Sequence, residues 1–506
     1  MFPKTLRPVG VFLALGGVTL TARVPRSSSS VQVPVIVPEE ASLEIDPDFL
    51  GLAFEQASFT RYAEDDEGNV NAFSINLMDA IYSRTGGKPN IRLGGTSPDY
   101  GKYLPGQEEP AFPVAEQDNY QDIGHTAIGP SYWSFAGRFP NAVYIIQVPL
   151  ATRNISEPIA WVQSALDTID EDQIFSIQPG NEPDLYANTF TGANGILLQP
   201  PEYQGNLNNK TYVGNWTEYV SAIKDAVPSL RQGRFFSAFD TASSNSFPVD
   251  TCFNLGIDAD SVIKEVAGHY YQGNAGTAAT LGSVLMNLTL THTNIDRFRV
   301  RIDWLRTNKP EIPFDAGYNL WLPVASAGLP AQVFSNYYSQ PFLADFIVSS
   351  SSCFSLGIEE KERVLSSEMV YIDAPQGESG KTRVSQLAVD GSNVAAYAAY
   401  EDGTPKRIAA VNMHYWNQTS STEARGSVTL SFEVPEHVVE VTVYHLNSPA
   451  GAGAAADTIT YGGSQWTYES QGKEVKNVRQ DTETVAVSGG FASVSVGSSE
   501  AVLVWL

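Results

Sequence analysis

Cysteine is almost missing from this chain: two residues, Cys252 and Cys353, in 506. At most one disulfide can form, so a hydrophobic core must carry the fold. A Cys252–Cys353 bridge and two separate buried thiols fit the sequence equally. Basic residues are also scarce. Thirty-one Lys and Arg stand against 56 Asp and Glu, a formal charge of −25. That balance excludes a nucleic-acid partner, whose phosphates need Lys and Arg. It gives no help in attracting an anionic ligand either, so local donors must overcome the global field. The six histidines are scattered, with no HExxH and no CxxC. No metal and no cofactor is expected on that pattern. Long apolar runs are missing as well. The longest begins at Val9 and ends near Ala22, too short to span a bilayer, so no membrane partner is expected.

What is present describes a compact chain. Hydrophobic residues make up 42% and charged residues 17%, which fits a globular protein large enough for two domains. Lys4 and Arg7 followed by the apolar run and small residues read as a signal peptide over 1–22, cleaved near Ala22. A secreted, extracellular protein is the expectation. Five acceptor triplets, at Asn154, Asn209, Asn215, Asn287 and Asn417, agree with it.

From about Phe49 to Ser367 strand-like and helix-like segments alternate, the sign of a parallel sheet or barrel. The candidate strands are Leu50–Glu55, Pro89–Gly94, Ala142–Val148, Gln173–Gln178, Arg234–Asp240, Ile263–Tyr270, Glu311–Asp315 and Arg363–Ser366. Eight strands with polar C-terminal ends predict a (β/α)8 TIM barrel. Ser156-Glu157-Pro158 reads as a helix start. Trp216, Tyr219, Val220, Ile223 and Val227 form an apolar stripe expected to pack in the core. From about Arg383 short alternating runs take over, separated by turns such as Glu401-Asp402-Gly403. They predict a C-terminal antiparallel β-sandwich. The expected organisation is a leader at 1–22, a linker and sandwich-joining strand at 23–45, a barrel at 46–382 and the sandwich at 383–506. Within the joining segment, Arg26–Ser30 reads as polar linker and Val31–Val37 as strand.

Gln178-Pro-Gly-Asn181-Glu182-Pro183-Asp184 is the segment richest in chemistry. A hydrophobic run ends there in an Asn-Glu pair, and Pro183 forbids further ladder pairing. A carboxylic acid at the C-terminal rim of a barrel, beside an amide able to hold a hydroxyl, points to glycoside cleavage. Retaining hydrolysis needs two carboxyl groups about 5–5.5 Å apart. Glu182 fits the acid/base. Its partner is expected after the seventh strand, where the chain reads Phe314-Asp315-Ala-Gly-Tyr318. Asp315 lies nearest the right place, one methylene shorter than a Glu. Glu311 lies at the opposite end of that strand.

These residues resemble glycoside hydrolase family 79, the fungal β-glucuronidases and heparanase relatives of clan A. The resemblance rests on Phe49-Leu-Gly-Leu-Ala-Phe-Glu55, Asn90-Ile-Arg-Leu-Gly-Gly-Thr-Ser-Pro-Asp99, the Asn181-Glu182 segment, His269-Tyr-Tyr-Gln272 and the C-terminal β domain. It covers nearly the whole mature chain. It implies a retaining hydrolase of β-linked glucuronides with Glu182 as acid/base and Asp315 in the nucleophile's place. It also implies that N-terminal residues join the sandwich. Glu55, Asp99 and Asn181 are then candidates for sugar hydroxyls. Arg92 is a candidate for a uronate or for bracing carboxylates at the strand ends. His269 and Tyr270 would orient the nucleophile or touch the sugar, and Tyr318 would donate toward the uronate.

Two departures stand against the resemblance. The family carries a Gly-Glu pair where this chain has Asp315-Ala-Gly-Tyr318. It also has a Tyr-Tyr-bearing helix where Ser366–Ala388 reads as loop. A diverged paralogue and an imperfect gene model would each read this way. The missing Glu predicts weak or absent turnover. It keeps open a silent, lectin-like barrel, and the acidic composition keeps open a clan A hydrolase of a neutral β-glycoside.

Overall fold

The structure is a computed structural model. It describes residues 28–42, 44–45, 47–48, 51–65, 67–112, 126–186, 190–191, 197–198, 204–274, 281–322, 351–352, 382–391, 393–452, 454 and 458–506. At 270–274 and 315–322 it describes the backbone. The expected leader at 1–22, Cys353 and the candidate strand Arg363–Ser366 lie outside the described residues.

Eight parallel strands form one sheet in chain order: Gly51–Glu55, Asn90–Gly94, Val143–Val148, Ile174–Pro179, Phe236–Thr241, Ile263–Asn274, Phe314–Leu322 and Ser351–Ser352. The first six fall on the predicted segments; the seventh begins at Phe314 and runs on to Leu322, overlapping the predicted Glu311–Asp315 only at its end. The eighth does not: Ser351–Ser352 pairs beside Phe314–Leu322, in a segment with no strand-like alternation to mark it. The first and eighth strands lie in contact, with no ladder between them among the described residues. Sequential order with helices between strands is what right-handed crossovers produce. The helices bury the predicted stripes. Trp216, Tyr219, Val220 and Ile223 of helix Asn209–Ala226 lie in the core. Helix Ser156–Leu166 begins at the predicted Ser-Glu-Pro start, and Asn154 Oδ1, just ahead of it, accepts from Ser156 N at 3.2 Å. At the N-terminal edge of the sheet, Arg234 bridges Asp258 at 3.1 Å and Glu311 at 2.9 Å. Glu311 is thus a structural residue, far from the C-terminal edge.

Two larger sheets build the C-terminal part, beside a short ladder of Gln465–Trp466 with Glu474–Val475. One runs Thr382–Leu387, Val394–Glu401, Thr404–Asn412, Glu500–Trp505 and Glu440–Asn447, with Thr460–Tyr461 and Thr482–Ala486 both pairing with the last. The other is Ser28–Val31, Ser427–Glu433 and Phe491–Gly497. Asp402 and Gly403 both take positive φ, 48° and 77°, so the first hairpin is the type that an Asp-Gly pair encodes. Strand Val394–Glu401 is buried at every residue. Ala395, Tyr397 and Ala399 pack toward the parallel-sheet unit, while Val394, Ala396, Ala398 and Tyr400 pack against the small sheet.

Two local expectations are corrected here. The strand that joins the small sheet is Ser28–Val31, pairing in parallel with Ser427–Glu433, and not Val31–Val37. Three serines disguised it as linker, and the ladder is supplied by backbone that any side chain allows. Thr382–Leu387, within the stretch read as loop, is an edge strand paired with Val394–Glu401.

Candidate active site

The fourth strand ends at Pro179, before the proline at 183 that had seemed to stop it. Gly180 turns the chain with φ +90°, and an added Cβ there would meet Tyr186 Oη at 2.7 Å. Glu182 follows with φ 46° and ψ 54°, then a 3-10 turn over Pro183–Leu185. Across from it, the fifth strand bulges between Ala238 and Thr241, where Phe239 and Asp240 take φ 81° and 39°. Left-handed backbone costs roughly 1–3 kcal/mol at a residue with a Cβ, so surrounding bonds must hold both places. They do: Glu182 N donates to Asp240 O at 2.9 Å. Asp184 accepts from Ala242 N and Ser243 N, each at 3.0 Å. Both irregularities re-aim a carboxylate.

Those carboxylates meet at one imidazole. His269 Nδ1 lies 3.0 Å from Glu182 Oε1, and Nε2 lies 2.7 Å from Asp240 Oδ1. Asp240 Oδ2 then lies 2.8 Å from an Nη of Arg92. The charges alternate along the chain Glu182, His269, Asp240, Arg92. Burial opposes the imidazolium, but Asp240 and Glu182 outweigh it and raise His269 from 6.5 to about 9. Burial also opposes the Asp240 carboxylate, yet Arg92 and His269 together hold it below its ordinary range.

Arg92 is the hub. Besides Asp240, it donates to Gln178 Oε1 at 2.7 Å, Gln147 Oε1 at 2.9 Å and Asn181 Oδ1 at 3.0 Å. The guanidinium is buried and committed to protein, so it braces the strand ends instead of reading a substrate carboxylate. Asp99 is likewise surrounded. Its oxygens accept from Leu150 N, Ala151 N, Asn181 N and Tyr186 Oη at 2.9–3.1 Å, which ties three segments together where a sugar hydroxyl had been expected. Burial pushes its carboxyl up to about 7 against those bonds. Glu55 accepts from Ser97 N at 2.9 Å. Burial raises its pKa, and Ser97 and Arg92 oppose the rise. Gly95, at φ +110°, lets it approach: an added Cβ would sit 1.7 Å from Glu55 Oε2.

Beside Glu182 lies a narrow recess lined by Thr96, Asp99, Tyr100, Asn181, Glu182, Leu185 and Tyr186, with room for about one water molecule. Glu182 keeps 14% of its side chain exposed, whereas His269 and Asp240 keep 3% each. Glu182 is therefore the member of the charged chain that a ligand can reach. Tyr270 and Tyr318 pair with each other in adjacent strands. Asp315 pairs with Ala267, and it is Gly317 that pairs with His269. Two residues of strand span about 6.6 Å, so the Asp315 backbone stands one pleat deeper than His269.

Asp240, Gln147, Gln178 and Tyr186 were missed as site residues. Asp240 closed a predicted strand and so was visible as a polar end. Nothing in one sequence said that Arg92 would reach it. Glu265 was missed too. It is buried beneath the site, accepts from Ser176 Oγ at 2.6 Å, and burial raises it to about 7.

These groups give stability a pH dependence. Asp99 and Glu265, raised from 3.8 and 4.5 to about 7, bind their protons more tightly folded than unfolded. Their contribution is full at low pH and fades as pH rises from about 4 to 7. His269 contributes fully below 6.5 and loses that contribution as pH rises through about 9. Asp240 acts oppositely, but only as pH falls below its ordinary 3.8. The melting temperature should therefore drop by about 5 °C or more between pH 5 and pH 9. Scanning calorimetry across that range checks it, and a flat profile would show that these buried groups are not perturbed as described.

A parallel sheet with an acid at its C-terminal edge, joined to a β domain, defines a class: glycoside hydrolases of the clan A architecture. The family model for the glycosyl hydrolase family 79 C-terminal beta domain matches residues 396–503. A beta-glucuronidase of Aspergillus niger is 26% identical over 541 residues, covering 95% of each chain. One of Neurospora crassa is 24% identical, covering 96% of this chain and 95% of its own. Among solved structures, a 4-O-alpha-L-rhamnosyl-beta-D-glucuronidase from Fusarium oxysporum superposes with a TM-score of 0.76 at 19% identity, over 94% of this chain and 100% of that one. A family 51 arabinofuranosidase from Xanthomonas axonopodis shares the fold at TM-score 0.57 and 13% identity, over 94% of this chain and 99% of its own. The resemblance read from the motifs is borne out: the chain is a glycoside hydrolase of the family 79 type.

Proposed function

We propose that this protein is a secreted β-glucuronidase that works by double displacement from a closed (β/α)8 barrel. The observation that carries the reading is Glu182, held partly exposed on a left-handed turn at the C-terminal edge of the sheet and bonded to a buried His–Asp–Arg chain. The fungal relatives named beta-glucuronidase support the substrate class. In this reading Glu182 protonates the glycosidic oxygen as the leaving group departs. It then takes a proton from the water that releases the sugar. Asn181, beside it, is held by Arg92 with its amide group oriented. Asp315 fills the nucleophile's place from the seventh strand.

A second reading, a barrel that binds sugar without cleaving it, is favoured by the register that sets Asp315 opposite Ala267, below the level of His269. A misplacement of 1 Å can cost about a hundredfold, so turnover is expected to be slow. The deciding assay offers the purified chain aryl β-D-glucuronides and aryl β-D-glucosides at acidic pH. The proposal expects slow release from the glucuronides and none from the glucosides. Release from glucosides alone would move the assignment to neutral sugars. Binding of glucuronate with no release from any substrate would establish the silent barrel.

A further inference from the structure

We propose that His269 is a positioning residue for Glu182: carrying a proton on both ring nitrogens, it commits one Glu182 oxygen to the protein and leaves the other to exchange a proton with substrate. The inference rests on the acid/base reading of Glu182 and adds how that role is enforced.

The geometry points this way because both imidazole nitrogens face carboxylates, at 3.0 Å and 2.7 Å. An ionised carboxylate only accepts hydrogen bonds. A neutral ring would turn a lone pair toward one of these oxygens, so the arrangement favours imidazolium. Among the described residues, the charged groups that act on the ring belong to the same chain: Glu182 from the turn after the fourth strand, Asp240 from the bulge of the fifth, and Arg92 from the second. Arg92 keeps Asp240 ionised, and Asp240 keeps the ring charged. The ring's high affinity for its proton, up to about 9, agrees.

The same guanidinium also binds Asn181 Oδ1, so neighbouring residues of the Asn-Glu pair are held from one hub. Asn181 is reached directly, and Glu182 through Asp240 and His269. A carboxyl group with one oxygen bonded to a charged donor cannot turn freely. When it gains a proton, that proton belongs on the other oxygen. A ring that carried charge alone, with no directional bond, would not make this selection.

The test compares the full-length chain with His269→Gln and Asp240→Asn on two substrates, phenyl and 2,4-dinitrophenyl β-D-glucuronide. The first leaving group needs a proton and the second barely does. The phenyl substrate should lose about 10–10²-fold in kcat in either variant, a fraction of what general acid catalysis supplies. KM should stay within about twofold, and dinitrophenol release in the first turnover should change by less than about threefold if only proton delivery is misdirected. An equal loss on both substrates would overturn the inference, since that is what general damage to the site produces. A second measurement is independent of turnover. The chain has six histidines, and nitrogen-15 labelling of the imidazoles, assigned with His269→Gln, should show both ring nitrogens of His269 protonated at pH 7.5. Glu182→Gln should move the Nδ1 resonance. A neutral His269, or one blind to residue 182, would overturn the inference even in a chain with no activity. Absence of turnover on both glucuronides by the unaltered chain would instead defeat the glucuronidase reading and leave the resonance experiment to decide His269.

Discussion

Glu182→Gln should slow hydrolysis of phenyl β-D-glucuronide by about 10²–10⁴-fold, the usual worth of a placed general acid–base group. The substitution preserves shape. Glutamine can still accept from His269 through its amide oxygen, and residue 182 keeps the same left-handed backbone, so the fold should be unchanged by circular dichroism. What it loses is a transferable proton. The loss should shrink when the leaving group is activated, because 2,4-dinitrophenolate departs without protonation. The second half-reaction would then limit, since water still needs a base. Azide needs none, and added azide should speed turnover of the activated substrate and yield a glucuronyl azide. A loss below about threefold on the phenyl substrate would remove Glu182 from the chemistry. A large loss that is equal for both leaving groups, with no effect of azide, would assign it to binding.

Arg92→Met should destabilise the protein by about 3–5 kcal/mol, the range seen when one partner of a buried ion pair is removed. The cost comes from what remains. Asp240 is 2% exposed, and it would keep a carboxylate with only His269 opposite. Gln147, Gln178 and Asn181 would each lose a charged donor. Domains are stable by only about 5–15 kcal/mol, so much of the chain should be lost to aggregation on expression, and the soluble fraction should melt far below the parent. Asp240→Asn should cost less, because the amide oxygen can still accept from Arg92, which keeps its bonds to Gln147, Gln178 and Asn181. Chemical denaturation of both variants gives the comparison. An Arg92→Met protein as stable as the parent would mean that the hub is not the brace described here.

Much of this site was legible in the sequence, and what was not has physical reasons. Glu182 was visible because a strand that ends in a short polar segment must deliver those side chains to the sheet's edge. His269 was visible through the family resemblance, and Asp240 only as a polar strand end. Their meeting depends on a bulge with two positive φ values, and no residue from Ala238 to Thr241 signals one. Phe239 is the last residue type expected to adopt it. Asp99 matched a motif and so drew a substrate role, while Arg92 was read either for a uronate or as a brace of strand-end carboxylates, and it is the brace. The structure surrounds both with protein partners, which a motif cannot reveal because it records residue types without their neighbours. In the β domain, the short alternating runs expected from about Arg383 are strands. The reading failed at Ser28–Val31, an edge strand whose three serines give no apolar alternation, and at Thr382–Leu387, the edge strand beside Val394–Glu401. The pairing of Cys252 and Cys353 is half answered: Cys252 is a buried free thiol, and burial pushes it up to about 12, while Cys353 lies outside the described residues.

The most direct test of the central claim is a crystal structure of the protein with a thio-linked aryl β-D-glucuronide, which binds like substrate and resists cleavage. The glucuronyl ring should lie over the C-terminal edge of the parallel sheet, with its linking sulfur within about 3.5 Å of the Glu182 oxygen that His269 leaves free. A ligand seated elsewhere on the molecule, or one whose glycosidic atom points away from Glu182, would contradict the account.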